Sequence, residues 1–335
     1  MGEVGDGMRR LVSFFGEHSP IFDELNRNIA EYAAEKNIEY VWLPQKPFHT
    51  EEVVAELNRS DAGLIDVEPY NEEIFGQLTG RCRLLIRFGV GFDKVDLKAA
   101  SSHGICVTRT TGTLSDSVAE MALTHILALR RQLRVNRKTV ESGMWVKNIG
   151  SETVGKTVGI YGFGAIGRRL AELLRGFDCR ILVYDPFLTG EEAERLGVEP
   201  VELAELFSRS DAVSIHAPYS PETHMSVGQD MLARMKPDAV LTCTARGKIV
   251  DEQALYEALK AGQLAGAGLD VFEQEPSPRD NPLFGLDNVV LTPHVSSQTK
   301  EALWATYRKA VDIMDDFFAG RQLLPADLLN PDYLG

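Results

Sequence analysis

Residues 157–168 read Thr-Val-Gly-Ile-Tyr-Gly-Phe-Gly-Ala-Ile-Gly-Arg, and the reading of this stretch decides the fold. An apolar run from Val158 to Tyr161 meets Gly162, Gly164 and Gly167, and a helical pattern starts near Ala165. Glycine-rich turns also occur between strands and helices for steric reasons alone, so the flanking elements carry the argument. With a strand before and a helix after, Gly162 permits the tight turn and Gly164 lets a pyrophosphate approach the backbone. Gly167 lets the helix pack on the strand. The helix start at Ala165 and Ile166 then presents N–H groups and a positive dipole end to phosphates.

Eighteen residues past Gly167, at the end of the next apolar run, stands Asp185 in Val-Tyr-Asp-Pro. A carboxylate there accepts from ribose hydroxyls and repels the extra phosphate of NADP. Residues 186–190 hold no lysine or arginine to invite that phosphate. Read alone, Asp185 is more often a turn residue before Pro186; together with the glycines it predicts NAD as the cofactor.

Working outward, short apolar runs alternate with helical patterns along the chain, which predicts α/β architecture with parallel sheets. Strands are expected at 11–15, 40–43, 63–65, 84–86 and 105–107, with helices near 21–36, 50–58 and 71–78. A second series is expected at 158–161, 181–184, 212–215, 239–241, 265–269 and 289–291. Between them, residues 117–131 form an apolar helix with Ser117 and Glu120 spaced as a capping box, buried in the fold or against a partner chain. The polar, basic stretch 130–152 marks a boundary region by composition. A last helix, about 299–318, carries Leu303, Tyr307, Ala310, Met314 and Phe317 on one stripe and stops before Gly320. No sheet follows it, so it is expected to return to the first domain.

At 335 residues the chain is too long for one ordinary core. Its 49 acidic and 35 basic residues give a net charge of −14, which disfavours nucleic acid and anionic membranes as partners. A small molecule is the expected partner. No run of about 18 apolar residues occurs, and the start MGEVGDGMRR lacks a signal-peptide core and is expected to fray. Four cysteines without a C-x-x-C pair predict neither a zinc site nor a disulfide framework, and no other metal site is expected. A cytoplasmic protein is the expectation.

Three side chains after successive strands of the second series have complementary chemistry: Arg246, Glu275 and His294. An imidazole can give a proton to a carbonyl oxygen, a carboxylate can hold it protonated, and a guanidinium can grip a carboxylate bidentately. Glu273 competes with Glu275 for the second part. A hydride acceptor whose carbonyl lies next to a carboxylate needs these three services.

The ordered motifs 87–96 (RFGVGFDKVD), 117–120 (SVAE), 155–168, 214–218 (SIHAP), 245–252 (ARGKIVDE), 268–276 (GLDVFEQEP) and 292–294 (TPH) resemble the D-isomer-specific 2-hydroxyacid dehydrogenase family over nearly the whole chain. The resemblance implies a Rossmann NAD-binding domain over 113–299 and a flavodoxin-like substrate domain built from 1–112 and 300–335. It implies that His294 is the acid/base, that Glu275 rather than Glu273 pairs with it, and that Arg246 orients a 2-keto or 2-hydroxy acid. Gly89, Val90 and Gly91 would hold the carboxylate through backbone N–H groups. His216, Pro218 and Thr244 would line the cofactor site, with Asp270 near the nicotinamide carboxamide. A homodimer around the Val-Ala-Glu helix is also implied.

The chain departs from the family where Asn-x-Pro-Gly is usual and Arg109-Thr110-Thr111-Gly112 stands, and where Cys243 replaces an asparagine. The acidic loop Asp66-Val67-Glu68 either disfavours a phosphorylated substrate side chain or is merely solvated. Two other readings stand beside the reductase: an NADH-sensing, corepressor-like binding protein, and a formate- or phosphite-type dehydrogenase. The formate enzymes carry glutamine at the place of Glu275.

Overall fold

Parallel strands covered by helices on both faces read as continuous apolar runs, because neither face meets water. Leu11, Leu64, Ile65, Leu84, Leu85, Ile86, Val158, Val213, Leu241 and Val289 all have zero exposure. The computed structural model describes residues 7–44 and 47–333, so the first six residues of the segment expected to fray lie outside it. It divides into two units, 1–114 with 300–335, and 115–299.

The first unit has strands β1 (Arg9–Ser13), β2 (Ile38–Trp42), β3 (Ala62–Ile65), β4 (Leu84–Arg87) and β5 (Cys106–Arg109). They pair in parallel in the order β2-β1-β3-β4-β5, the flavodoxin-like order. The helix Lys300–Phe318 buries Leu303, Tyr307, Ala310, Val311 and Met314 in one core with Leu11, Ile29, Leu64 and Leu84. The last helix thus does return to the first sheet. Gly320, just past it, has φ +69°, a left-handed end that suits glycine.

The chain then runs antiparallel along the open edge of β5. Arg109 donates its N–H to the Asp327 carbonyl at 2.8 Å, and Leu329 donates to that of Val107 at 2.9 Å. The Asn330 side chain imitates one more strand residue: its Oδ1 accepts from Val107 N at 2.7 Å and its Nδ2 donates to Ile105 O at 2.8 Å.

The second unit has β6 (Thr157–Tyr161), β7 (Arg180–Tyr184), β8 (Glu199–Pro200), β9 (Ala212–Ile215), β10 (Val240–Cys243), β11 (Gly266–Leu269) and β12 (Val289–Leu291). The sheet is parallel, in the order β12-β11-β10-β9-β6-β7-β8. Sequence order reverses between β6 and β9, which makes a crevice at their carboxyl ends.

Two expectations need correction. The long helix spans Ser115–Arg130, so Ser117 lies inside it and caps nothing; its hydroxyl donates to the Ser296 carbonyl at 2.5 Å. On that helix Glu120 and Thr124 are exposed and Met121, Leu123 and Leu127 are half-buried. The basic stretch 130–152 is no boundary either, because it lies within the second unit and contains the helix Leu133–Glu141. Strand β8, only two residues long, and the helix Leu97–Ser102 were not foreseen.

Asn330 is 3% exposed. Asn330→Ala strands a buried N–H and a buried carbonyl, and is expected to lower unfolding stability by about 1–3 kcal/mol. Urea unfolding measures this; wild-type stability would refute the strand-mimic role.

Candidate active site

The carboxyl ends of β6, β7 and β9 hold the glycine turn and its neighbours. Gly162 has φ +92°, and a Cβ on it would come within 2.4 Å of the Ala217 backbone nitrogen. Only glycine lets the turn lie against the end of β9. Gly167 meets the Gly162 carbonyl, 2.4 Å from where its Cβ would be. Gly164, in contrast, has nothing within 4 Å of that position, and it caps the helix Ala165–Leu174. The first-turn N–H groups of Ala165, Ile166 and Gly167 have no acceptor inside the helix. This open cradle at a helix start suits a pyrophosphate.

Asp185 ties the turn to β7: Oδ2 accepts from Phe163 N at 2.6 Å and Oδ1 from Phe187 N at 2.8 Å. It is therefore a turn residue as well as a candidate ribose ligand. Two more polar atoms near these strand ends are buried and unpartnered, Nδ1 of His216 and Oγ1 of Thr244. The other His216 nitrogen lies 2.7 Å from Ser214 Oγ, and burial pushes the imidazole down to about 4, so the ring is neutral near pH 7. Pro218 is exposed beside it. Orphaned polar atoms and an open glycine cradle fit a dinucleotide better than a closed structural turn.

Arg246, Glu275 and His294 follow the adjacent strands β10, β11 and β12. Arg246 donates through Nη1 to its neighbour Ala245 O at 2.8 Å, and the buried Cys243 thiol, pushed up to about 12 by burial, donates to the Arg246 carbonyl at 3.6 Å. Cysteine thus props this turn where the family pattern has asparagine. A Cβ on Gly247 would stand 1.9 Å from the Phe272 carbonyl carbon, so glycine brings the Glu275 loop onto the arginine turn.

His294 Nδ1 lies 2.7 Å from Glu275 Oε2, while Glu275 Oε1 accepts from Phe272 N at 3.0 Å. Glu273 is engaged elsewhere, accepting the Glu252 N–H at 2.7 Å. The imidazole and carboxylate are about a third exposed, at 36% and 37%.

Asp270, expected near the nicotinamide carboxamide, follows β11 directly. It has no exposed surface, and it binds the His294 turn from behind. Its carboxylate accepts from Thr292 Oγ1 at 2.6 Å, from Val295 N and Ser296 N at 2.9 Å each, and from Ser296 Oγ at 2.5 Å. Its carbonyl accepts the His294 N–H at 2.7 Å. Sequence reasoning missed Thr292 and Ser296, whose hydroxyls carry no signal until the turn is folded.

Gly89, Val90 and Gly91 belong to the first unit, just past β4. Gly89 has φ +97° and donates to Thr110 Oγ1 at 2.7 Å. Asp66, from the acidic loop, is buried and compensated by Arg87 Nη1 at 3.8 Å. Among the described residues no group of three His, Cys, Asp or Glu could hold a metal ion, and no helix is long and apolar enough to cross a membrane.

Residues 123–296 match the sequence model of the D-isomer specific 2-hydroxyacid dehydrogenase, NAD binding domain. The chain belongs to the D-isomer specific 2-hydroxyacid dehydrogenase family. It is 37% identical over 300 residues to a glyoxylate reductase of Korarchaeum cryptofilum, covering 87% of this chain and 89% of the relative. It is 38% identical over 254 residues to a D-3-phosphoglycerate dehydrogenase of Archaeoglobus fulgidus, covering 75% of this chain and 48% of that longer protein. A solved NAD-dependent formate dehydrogenase of Staphylococcus aureus, in complex with NAD, matches with a TM-score of 0.82 at 32% identity, covering 96% and 98% of the two chains. As a D-2-hydroxyacid dehydrogenase family member, the protein is an NAD-dependent oxidoreductase.

The open space at Gly164 gives a clean test. A Cβ there meets no protein atom, so Gly164→Val is expected to keep its melting temperature while its branched side chain crowds the cradle and NADH affinity falls at least about tenfold, or 1.4 kcal/mol. Fluorescence titration measures it, and unchanged affinity would remove the phosphate assignment.

Burial pushes the Glu275 carboxyl up, but the His294 hydrogen bond and charge, the Phe272 N–H and the Arg246 charge together hold it below its ordinary value. A carboxylate depressed in the folded state stabilises the fold above its unfolded pKa and loses that contribution as pH falls through the folded pKa. Glu275→Gln should therefore flatten the decline of unfolding stability below about pH 4.3. Denaturant midpoints across that range check it; an identical acid limb in both proteins would contradict the pairing.

Proposed function

We propose that the protein interconverts a D-2-hydroxy acid and its 2-keto acid with NAD(H), using His294 as the acid/base. The His294–Glu275 contact of 2.7 Å carries the reading. A carboxylate on Nδ1 keeps a proton there and leaves Nε2 as the nitrogen that exchanges a proton with the substrate oxygen. When bound, the nicotinamide supplies or accepts the hydride. Arg246 binds the substrate carboxylate through its planar guanidinium, and the Val90 and Gly91 N–H groups assist. The glycine turn, Asp185, His216 and Thr244 hold the cofactor.

The names of the relatives support a small keto acid, and glyoxylate is the first substrate to assay. A homodimer is part of the reading. The half-buried Met121 and Leu127 of the long helix, and the exposed Met144, Trp145, Val146 and Ile149 beyond it, supply apolar surface for a second copy. We place the protein in the cytoplasm. A formate-type reaction is disfavoured by a carboxylate at Glu275 in place of the amide of those enzymes.

Removing a general acid costs about 10²–10⁴ in rate. His294→Ala and Arg246→Ala are each expected to lose at least about a hundredfold in kcat/KM while NADH affinity stays near wild type. Steady-state NADH oxidation with glyoxylate, hydroxypyruvate, phosphohydroxypyruvate, pyruvate and 2-oxoglutarate reads both the variants and the substrate. Full turnover in either variant would overturn the assigned roles, and oxidation of formate or phosphite alone would replace the reaction.

A further inference from the structure

The loop after β4 is held by Arg109, where the chain departs from its family pattern, and by its neighbour Thr110. Thr110 N donates to the Gly89 carbonyl at 3.1 Å, and Thr110 Oγ1 accepts the Gly89 N–H at 2.7 Å. Arg109 Nη1 donates to the Val90 carbonyl at 3.3 Å. Arg109 is itself fixed: Nε donates to Ala326 O at 2.9 Å, its backbone N–H donates to Asp327 O at 2.8 Å, and its guanidinium carbon lies 5.5 Å from the centre of the Phe92 ring.

A trans peptide is planar, with its carbonyl and N–H pointing in opposite directions. The Gly89 carbonyl is bound by Thr110, so the Val90 N–H of the same peptide points away from Thr110. The Val90 carbonyl is bound by Arg109, so the Gly91 N–H points away from Arg109. Among the described residues neither N–H has an acceptor. Two adjacent, outward N–H groups after a glycine of positive φ form an anion-binding nest. A guanidinium on the rear carbonyl also polarises the Gly91 N–H toward an anion.

We propose that Arg109 is a positioning residue for the substrate carboxylate: by binding the Val90 carbonyl it sets the Val90–Gly91 peptide plane and aims the Gly91 N–H at the carboxylate. This deepens the proposed function and rests on it. Arg109 does not touch the substrate; it acts through the peptide, in the place where the family pattern has asparagine.

The test uses the full-length protein with glyoxylate as substrate and oxamate as a carboxylate inhibitor. Arg109→Met keeps the apolar stem and removes the donors. It is expected to raise KM for glyoxylate and Ki for oxamate together by about tenfold, the scale of one hydrogen bond to a charged group, with kcat and NADH affinity within about twofold. Arg109→Lys, whose ammonium can reach the Val90 carbonyl, is expected to recover most of the loss. In the wild type, oxamate should move the Gly91 amide resonance downfield in ¹⁵N-edited spectra, and Arg109→Met should shrink that movement. Equal KM and Ki in Arg109→Met and wild type overturn the proposal, as does a fall in kcat at constant KM. Should Arg109→Met fail to fold, Arg109→Lys and the wild-type Gly91 resonance decide: no oxamate-induced shift of Gly91 removes it. A wild-type protein that reduces no keto acid and binds no oxamate removes the underlying function as well; an active wild type matched by its variant removes the Arg109 role alone.

Discussion

Asp270 is a carboxylate with no exposed surface, and a buried anion persists only where donors surround it. Its donors come from residues 292, 295 and 296, on both sides of His294. The turn that carries the imidazole is therefore closed around a charge that cannot be left unsatisfied. His294 adopts φ +52°, a left-handed conformation that a non-glycine residue holds only under constraint. The constraint continues inward. His125 Nδ1 lies 3.0 Å from Thr242 Oγ1, and Gly268 leaves room for that side chain, whose ring atoms Cγ and Nδ1 are 2.8 Å from where a Gly268 Cβ would be. Burial pulls the His125 imidazole below its ordinary value, with Asp270 opposing.

The arginine side of the site depends on backbone proximity in place of charge. Gly247 and the Cys243 thiol settle the Arg246 turn against the Glu275 loop.

Much of this was readable beforehand for a physical reason. Doubly covered parallel strands are unbroken apolar runs, so eleven of the twelve strands lie within two residues of where patterning put them; β8, with two residues, has no pattern to read. The glycine turn was legible because three glycines at fixed spacing answer three separate steric demands. The choice between Glu273 and Glu275 was beyond residue chemistry, since the two are identical side chains two positions apart. Folding decides it, by giving Glu273 the Glu252 N–H. Ser117 misled because its spacing to Glu120 imitates a cap, whereas its acceptor is the carbonyl of Ser296, far along the chain. Arg109 was visible as a departure, but its partners at Val90 and Ala326 are brought to it only by the folded first unit.

The sealing of β5 by residues 327–330, together with the helix Lys300–Phe318, gives the molecule an order in time. During synthesis the second unit emerges whole as one continuous segment and can close its sheet at once. The first unit emerges earlier yet must wait, with Leu11, Ile29 and Leu64 short of their helical cover and β5 showing an unpaired edge until the final stretch arrives. A nascent chain therefore passes through a stage in which residues 115–299 can be complete while the sheet of the first unit still lacks part of its core.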